Sequence, residues 1–117
     1  MNVYWLAAGV SGFTAVALGA FGAHALKGIL AGEAADWWRT AVLYQGLHVA
    51  PLLALGLAPH PGRLARVAGW AFIAGTLLFS GSLYAMALGG PRGLGAVTPL
   101  GGLAFLAGWA CLALMAL

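Results

Sequence analysis

Four long apolar stretches, separated by short polar segments, constrain the fold more than any other feature of the sequence. They cover residues 3–25, 40–57, 67–88 and 96–117. A helix that crosses the hydrocarbon core of a bilayer needs about 20 apolar residues, and each stretch is close to that length. Because a spanning segment must satisfy its own backbone hydrogen bonds, a helix is the expected structure for each. The pattern predicts an all-α polytopic membrane protein, with a single transmembrane domain over residues 1–117 folded as a four-transmembrane-helix bundle.

Charged side chains are too few to cover a soluble surface. Only 6% of the 117 residues are charged, against about 25% in an ordinary soluble domain. The lipid bilayer is therefore the predicted surrounding of most of the surface. The five Lys and Arg residues are scattered along the chain and form no basic patch, which argues against nucleic acid as a partner. The single cysteine, Cys111, excludes an intrachain disulfide.

The longest and most polar connection, residues 26–39, separates the first stretch from the second. Within it, Asp36 and Arg39 have the spacing of an ion pair between neighbouring turns of a helix. Trp37 and Trp38 mark the return into the membrane, since indole rings favour the headgroup boundary. We therefore expect either a polar loop that ends at the second transmembrane helix, or a short interfacial helix within it, since residues 34–39 contain no helix breaker.

The second stretch carries most of the hydrogen-bonding side chains. Thr40, Tyr44 and His48 follow one another at intervals of four residues. Gln45 precedes His48 by three, so all four side chains share one broad helix face. Unpaired polar groups are costly in hydrocarbon, so this face is expected to look toward other helices or toward water. Pro51 removes one helix hydrogen bond and predicts a kink close to His48.

Polar residues of all four stretches are expected on the same side of the membrane, because successive spans run in opposite directions. The end of the first, the start of the second, the far half of the third and the start of the fourth meet there. We predict a polar cluster, and candidate ligand-binding site, formed in that half of the bilayer by His24, Thr40, Tyr44, Gln45, His48, Ser80, Ser82, Tyr84 and Thr98. The opposite half is almost wholly apolar.

Small residues recur at helical spacing in the first and fourth stretches. They are Ser11, Ala15, Gly19 and Ala23 in the first, and Gly101, Ala104, Gly108 and Cys111 in the fourth. Such stripes allow helices to approach one another closely in a membrane. They predict close packing within the chain, and they equally suit a homo-oligomer or another membrane protein as partner.

Metal, haem and catalytic chemistry find little support in the sequence. A metal site needs three or four converging ligands, and the His, Asp, Glu and Cys residues show no such spacing. His24 and His48 differ in depth by about 13 Å at 1.5 Å per residue, too much for two axial ligands of one haem. Ser80 and Ser82 have no acid at their depth that could help to activate a nucleophile. We predict no metal, no cofactor and no catalytic residue, and hence no enzyme.

Motifs from all four spans resemble a known family. They are Gly-Ala-Phe-Gly-Ala-His at 19–24, Tyr44-Gln45 ahead of His48, Phe-Ser-Gly-Ser-Leu-Tyr at 79–84 and Thr-Pro-Leu-Gly-Gly at 98–102. Together they resemble the domain of unknown function 423 family, the YgdD-like small bacterial membrane proteins whose animal relatives are called transmembrane protein 256. The resemblance implies four transmembrane helices in the bacterial inner membrane, both termini in the cytoplasm, and no settled biochemical activity.

Two functions remain open. In the first, the protein is a structural or accessory bundle, and the polar cluster is an internal hydrogen-bond network. In the second, it binds or transports a small molecule, a lipid or an ion in a pocket formed by His48, Gln45 and Tyr44, since ionisable groups inside membranes are functional candidates. In a closed network the polar side chains would bond to one another and leave no opening in the polar half of the bundle. A binding site would leave an opening lined by these side chains.

Overall fold

The computed structural model describes residues 1–117, and all its regular elements are helices. Four helices are long and apolar enough to cross a membrane, and we number them as spans 1 to 4. They are span 1 (Val3–His24), span 2 (Glu33–Leu57), span 3 (Arg63–Ala87) and span 4 (Arg92–Leu114). The prediction of an all-α membrane protein with four transmembrane helices is confirmed.

Three of the spans contain a local change in helix geometry. Span 2 consists of two α-helices, Glu33–Leu47 and Val49–Leu57. Span 3 consists of the α-helices Arg63–Gly75 and Gly81–Ala87, which are joined by a π-helical turn, Thr76–Ser80. Span 4 begins with a 3₁₀ turn, Arg92–Ala96, and continues as the α-helix Thr98–Leu114. The interruption of span 2 falls at His48, whose φ and ψ are −97° and 5°. Pro51 cannot donate a backbone hydrogen bond into this turn, so the predicted kink occurs where the proline requires it.

Span 2 begins at Glu33 and not at residue 40, so the polar loop predicted over 26–39 ends at Gly32, and residues 34–39 are helical as the alternative prediction has it. The helix starts immediately after Gly32, which has a positive φ of 57°. Glu33 and Asp36 lie in the first turn, where negative charge is favourable at the positive end of the helix dipole. The predicted ion pair is present, with Arg39 3.3 Å from Asp36 on the exposed helix surface.

Spans 2 and 3 form the centre of the bundle, and spans 1 and 4 lie outside them. In the apolar windows of spans 2 and 3, 39% of the residues are buried, against 17% in spans 1 and 4. Span 1 packs along span 2, while span 4 packs along span 3. The main core cluster joins all four spans through residues such as Tyr4, Leu52, Phe72 and Phe105. The outer spans thus leave most of their apolar surface to lipid.

Three side chains tie span 1 to span 2, each by donating to a backbone carbonyl of the other span. Asn2 Nδ2 donates to Gly56 O at 2.6 Å, Gln45 Nε2 to Ser11 O at 2.9 Å, and Trp38 Nε1 to Leu18 O at 2.9 Å. The last two bonds are seven residues apart on both helices, the spacing at which one face of a packed helix recurs. Trp38 is therefore buried between the two spans, with only 4% of its surface exposed.

Glycines let span 4 approach span 3 closely. A Cβ atom built on Gly101 would overlap the backbone of Phe79, and one built on Gly108 would lie 2.6 Å from the ring of Phe72. Both glycines belong to the small-residue stripe of span 4, and both are buried. The stripe of span 4 therefore packs inside the chain, against span 3.

Candidate functional site

Three side chains of the predicted cluster, those of Gln45, His48 and Tyr84, belong to two hydrogen-bond networks that contact different neighbours of span 2. One network, the glutamine network, consists of Ser11, Thr14, Gln45 and Tyr84. The other, the histidine network, consists of the Tyr44 carbonyl with His48 and Trp109. Gln45 lies twelve residues from each end of span 2, so the glutamine network is at the middle of that helix. The predicted residues are therefore not gathered into one polar cluster.

The glutamine network joins spans 1, 2 and 3. Gln45 Nε2 donates to Ser11 O at 2.9 Å and to Thr14 Oγ1 at 2.6 Å, and Tyr84 donates its hydroxyl to Gln45 Oε1 at 2.7 Å. Both amide protons and the amide oxygen of Gln45 are thus bound, and only 5% of its surface is exposed. Three separate spans are held together by one side chain.

The histidine network joins span 2 to span 4. Trp109 Nε1 donates to His48 Nε2 at 3.0 Å, so this nitrogen carries a lone pair. The ring proton then lies on Nδ1, which faces the Tyr44 carbonyl oxygen at 2.6 Å. The imidazole also stacks on Phe105, with ring centroids 3.6 Å apart. Both nitrogens of the neutral ring are occupied, so His48 offers no free ligand to a metal or a haem.

The serine residues of span 3 are bound to backbone and to one neighbouring hydroxyl. Ser80 donates to Ala41 O of span 2 at 2.7 Å, beside the π-helical turn. Ser82 donates to Phe79 O at 3.0 Å and also pairs with the Thr98 hydroxyl. These contacts hold spans 2, 3 and 4 in register, and neither serine lies beside a base that could activate it.

Three of the predicted residues make no side-chain hydrogen bond, and three others, Ser80, Ser82 and Thr98, form bonds outside both networks. His24 is exposed at the end of span 1 and makes no hydrogen bond. Thr40 is half-buried without a bond of its own. The Tyr44 ring packs against Phe79 with centroids 4.5 Å apart, and its hydroxyl is unpaired. Residues one apart on a helix point about 100° apart, which is why the Tyr44 side chain is outside the glutamine network although Gln45 is its neighbour in the sequence.

Three partners of the networks lie outside the predicted cluster. Ser11 and Thr14 belong to span 1, and the Thr14 hydroxyl oxygen accepts the second amide proton of Gln45. Trp109 lies deep in span 4, where its indole N–H requires an acceptor. That requirement was the available signal, because an indole at such depth has few polar partners other than a residue like His48. Thr14 gave no comparable signal, since a threonine can bond to its own helix, as it does to Val10 O.

A cleft of about 370 Å³ lies between spans 1 and 3, beside the glutamine network. Gln45 and Tyr84 line it together with apolar side chains such as Val10 and Leu77. His48 and Tyr44 do not. The polar atoms of Gln45 are already bound, so the cleft presents mainly apolar surface. Ser11 Oγ is the one buried side-chain polar atom without a hydrogen-bond partner.

The arrangement offers little to metal or acid–base chemistry. No three His, Cys, Asp or Glu side chains converge anywhere in the structure. Glu33 and Asp36 are both exposed at the start of span 2 and engaged in ion pairs, with Arg92 and Arg39. Cys111 is a free, half-buried thiol. What the site can do is hold helices together and accommodate an apolar molecule beside them.

Comparison with known proteins agrees with this description. The family model "Protein of unknown function (DUF423)" matches residues 18–102. A UPF0382 membrane protein of Haemophilus influenzae is 43% identical over 96% of this chain and 91% of its own length. A UPF0382 membrane protein of Staphylococcus epidermidis is 40% identical over the whole chain and 97% of its own length. The UPF0382 inner membrane protein YgdD of Escherichia coli K12 is 45% identical over 88% of this chain and 80% of its own length.

No solved structure matches the chain. The family model covers well over half of the sequence. It includes the whole of spans 2 and 3, and therefore Gln45 and His48, the residues of span 2 on which the two networks are centred. The relatives are described as membrane proteins of an uncharacterised family, and none of their names indicates a biochemical activity. The chain belongs to the DUF423 family, the UPF0382 membrane proteins.

Proposed function

We propose that this protein is a non-enzymatic accessory bundle that acts through lateral contacts with other membrane proteins or with a second copy of itself. The observation that carries the proposal is the use of the deep polar side chains. The side-chain nitrogen and oxygen atoms of Gln45 and His48 are all hydrogen-bonded to other parts of the same chain. Groups committed in this way stabilise a bundle and are not free to bind a reactant.

The positions of the nucleophiles support a non-enzymatic role. Ser80 and Ser82 are the only serines deep in span 3, and each is bound to a carbonyl oxygen. Neither has a histidine or carboxylate as hydrogen-bond partner, which nucleophilic catalysis by a hydroxyl requires. The two carboxylates of the chain are exposed at the start of span 2, outside the interior.

The relative YgdD is named an inner membrane protein, and we infer the same membrane for this chain. With four spans, both termini lie on one side, and we place that side in the cytoplasm. The connection of residues 25–32 and the turn before span 4 then lie on the periplasmic side. The turn of residues 58–62 lies with the termini.

The proposal is tested by affinity purification after crosslinking in intact membranes. We expect a membrane protein, or a second copy of the chain, at a fixed ratio to the bait. Uncrosslinked protein purified from the same membranes serves as the control for association during solubilisation. Recovery of the monomer alone, together with turnover or transport by that monomer in vesicles, would overturn the proposal.

A second function is favoured by the cleft between spans 1 and 3. Its volume of about 370 Å³ lies within the range of small-molecule pockets, about 300–1,000 Å³. The unpaired Ser11 hydroxyl beside it could accept a bond from a ligand, or donate one, after a small side-chain rotation. The candidate ligand is a lipid-soluble molecule with one polar group, such as a quinone.

Native mass spectrometry of the purified protein separates the two functions. A binding function predicts a co-purifying molecule that is lost when Ala7, which lines the cleft, is replaced by Phe. His48→Ala changes no cleft residue, so it should leave that molecule bound while it lowers stability. If no molecule is retained by the wild-type protein, the binding function is not supported.

A further inference from the structure

A second groove lies where the end of span 1 meets the start of span 2, away from both polar networks. Its volume is about 600 Å³. The floor is made of small residues, among them Gly19, Gly22 and Ala23 of span 1. Ala23 and Leu43 are exposed, so the groove opens outward from the bundle. Trp38 forms one wall and is held in place by its bond to Leu18 O.

Two cationic side chains line this apolar groove, Lys27 and Arg39. The ion pairs of the protein are Arg39 with Asp36 and Arg92 with Glu33, so Lys27 has no acidic partner. Arg39 contacts Asp36 through a single nitrogen at 3.3 Å, although a guanidinium has five N–H donors. Lys27 and Arg39 form the rim of the groove, and most of their N–H donors are therefore free to bind an anion.

The charged groups of the two cations can reach the level of the lipid headgroups. Span 2 has 25 residues and is about 37 Å long, whereas the hydrocarbon core is about 30 Å thick. The backbone of Arg39 is about 9 Å from the start of this helix, and its long side chain extends back toward that start and the headgroups. Lys27 follows the end of span 1. Gly19 lies five residues before the end of span 1, about 8 Å deeper along the helix axis. Positive charge thus stands at the boundary, above an apolar floor.

We propose that this groove binds one anionic phospholipid, with its phosphate between Lys27 and Arg39 and an acyl chain along the floor. Basic pockets between transmembrane helices suit anionic headgroups, and apart from the two cations the groove is lined by apolar residues such as Leu30 and Leu43, which suit an acyl chain. A zwitterionic lipid carries its own cation next to the phosphate, which competes with the two side chains for the same oxygens. Free phosphate would use the rim but not the floor.

The test uses full-length protein in neutral detergent, titrated with dioleoyl phosphatidylglycerol or dioleoyl phosphatidylcholine and analysed by native mass spectrometry. We expect the anionic lipid to bind about tenfold more tightly. Each cation near a membrane surface is worth about fivefold in affinity, so Lys27→Gln with Arg39→Gln should lower it about 25-fold. Both side chains are exposed, so we expect the double variant to fold, with an unchanged helical circular dichroism spectrum.

Two further variants separate the proposed site from other sources of binding. Arg63→Gln with Arg66→Gln removes the same charge at the opposite end of the bundle and should leave the selectivity intact. Ala23→Leu fills the floor while keeping both cations, so it should lower lipid affinity. It tests the site even if the charge variant misfolds.

Three results would overturn the proposal. The first is equal affinity for the two lipids. The second is an equal loss in the opposite-end variant, which indicates attraction to overall charge. The third is full competition by millimolar inorganic phosphate together with no effect of Ala23→Leu, which indicates a simple anion site at the rim.

Discussion

Two tyrosines of this protein allow one chemical change to be compared in two surroundings. The hydroxyl of Tyr84 donates to Gln45 Oε1 at 2.7 Å, whereas the hydroxyl of Tyr44 has no hydrogen-bond partner. Tyr84→Phe and Tyr44→Phe each remove one oxygen atom and leave the ring in place. If the glutamine network holds the spans together, only the first change should alter the free energy of unfolding.

The size of the effect follows from the bond that is lost. Side-chain hydrogen bonds between membrane helices average about 0.6 kcal/mol and reach about 1.7 kcal/mol. Tyr84→Phe also leaves the buried amide oxygen of Gln45 without a partner, which in a protein interior costs about 1–3 kcal/mol. We expect Tyr84→Phe to lower the free energy of unfolding by about 1–2 kcal/mol, within the range of these two figures. Tyr44→Phe should change it by less than about 0.5 kcal/mol.

The assay is reversible unfolding in mixed micelles with increasing dodecyl sulfate, followed by far-ultraviolet circular dichroism. A double-mutant cycle with Gln45→Leu isolates the pair. The coupling energy between Gln45 and Tyr84 should be about 0.6–1.7 kcal/mol, while that between Gln45 and Tyr44 should be close to zero. Equal effects of the two Tyr→Phe variants, or no coupling at Tyr84, would refute the assignment of this network as a tertiary support.

Three other outcomes are expected. His48→Ala removes both ring hydrogen bonds and the stacking on Phe105, so it should lower the free energy of unfolding in the same assay by about 2–4 kcal/mol. The matched control is His60→Ala, at an exposed loop histidine, and similar losses in the two variants would contradict a structural role for His48. Gly101→Ala should lower the free energy of unfolding by about 1–3 kcal/mol through overpacking, because the new Cβ would overlap the backbone of Phe79. The neighbouring Gly102→Ala is the control, since its new Cβ would have its nearest atom at 3.9 Å. A tolerated Gly101→Ala would disprove the close approach of spans 3 and 4. In a Cys-free background, His60→Cys should react with a membrane-impermeant maleimide only after the cytoplasmic side is opened, and labelling in intact cells would reverse the proposed orientation.

The number and type of the spans could be predicted because they depend on composition and length alone. An apolar run near 20 residues has few alternatives to a transmembrane helix. The start of span 2 could not be placed from the same signal, because residues 33–39 are polar and yet helical. A hydropathy pattern reports where a helix enters lipid, and the helix itself continues into the headgroup region. The absence of a helix breaker over residues 34–39 indicates a helix there, but it does not indicate that this helix is continuous with span 2.

The polar residues of span 2 could be singled out, but their partners could not. The spacing of Tyr44, Gln45 and His48 is compatible with one broad face, and it does not say which spans lie around that face. Span 2 is central and has neighbours on several sides, so residues one to three apart reach different helices. The π-helical turn Thr76–Ser80 left no distinctive pattern in the sequence, because it depends on how span 3 fits between spans 2 and 4.

Three of the four side-chain bonds between spans 1 and 2 end on carbonyl oxygens of the main chain, at Ser11, Leu18 and Gly56, and the fourth ends on the Thr14 hydroxyl. Every amino acid supplies a carbonyl oxygen, so three of the receiving positions carry no chemical identity of their own. Most of the information that aligns the two helices therefore resides in the donors Trp38 and Gln45, together with the donor at the amino terminus. Span 1 could be rewritten with other apolar residues of similar size at every position except Asn2 and Thr14, and its alignment with span 2 would persist as long as those donors remain.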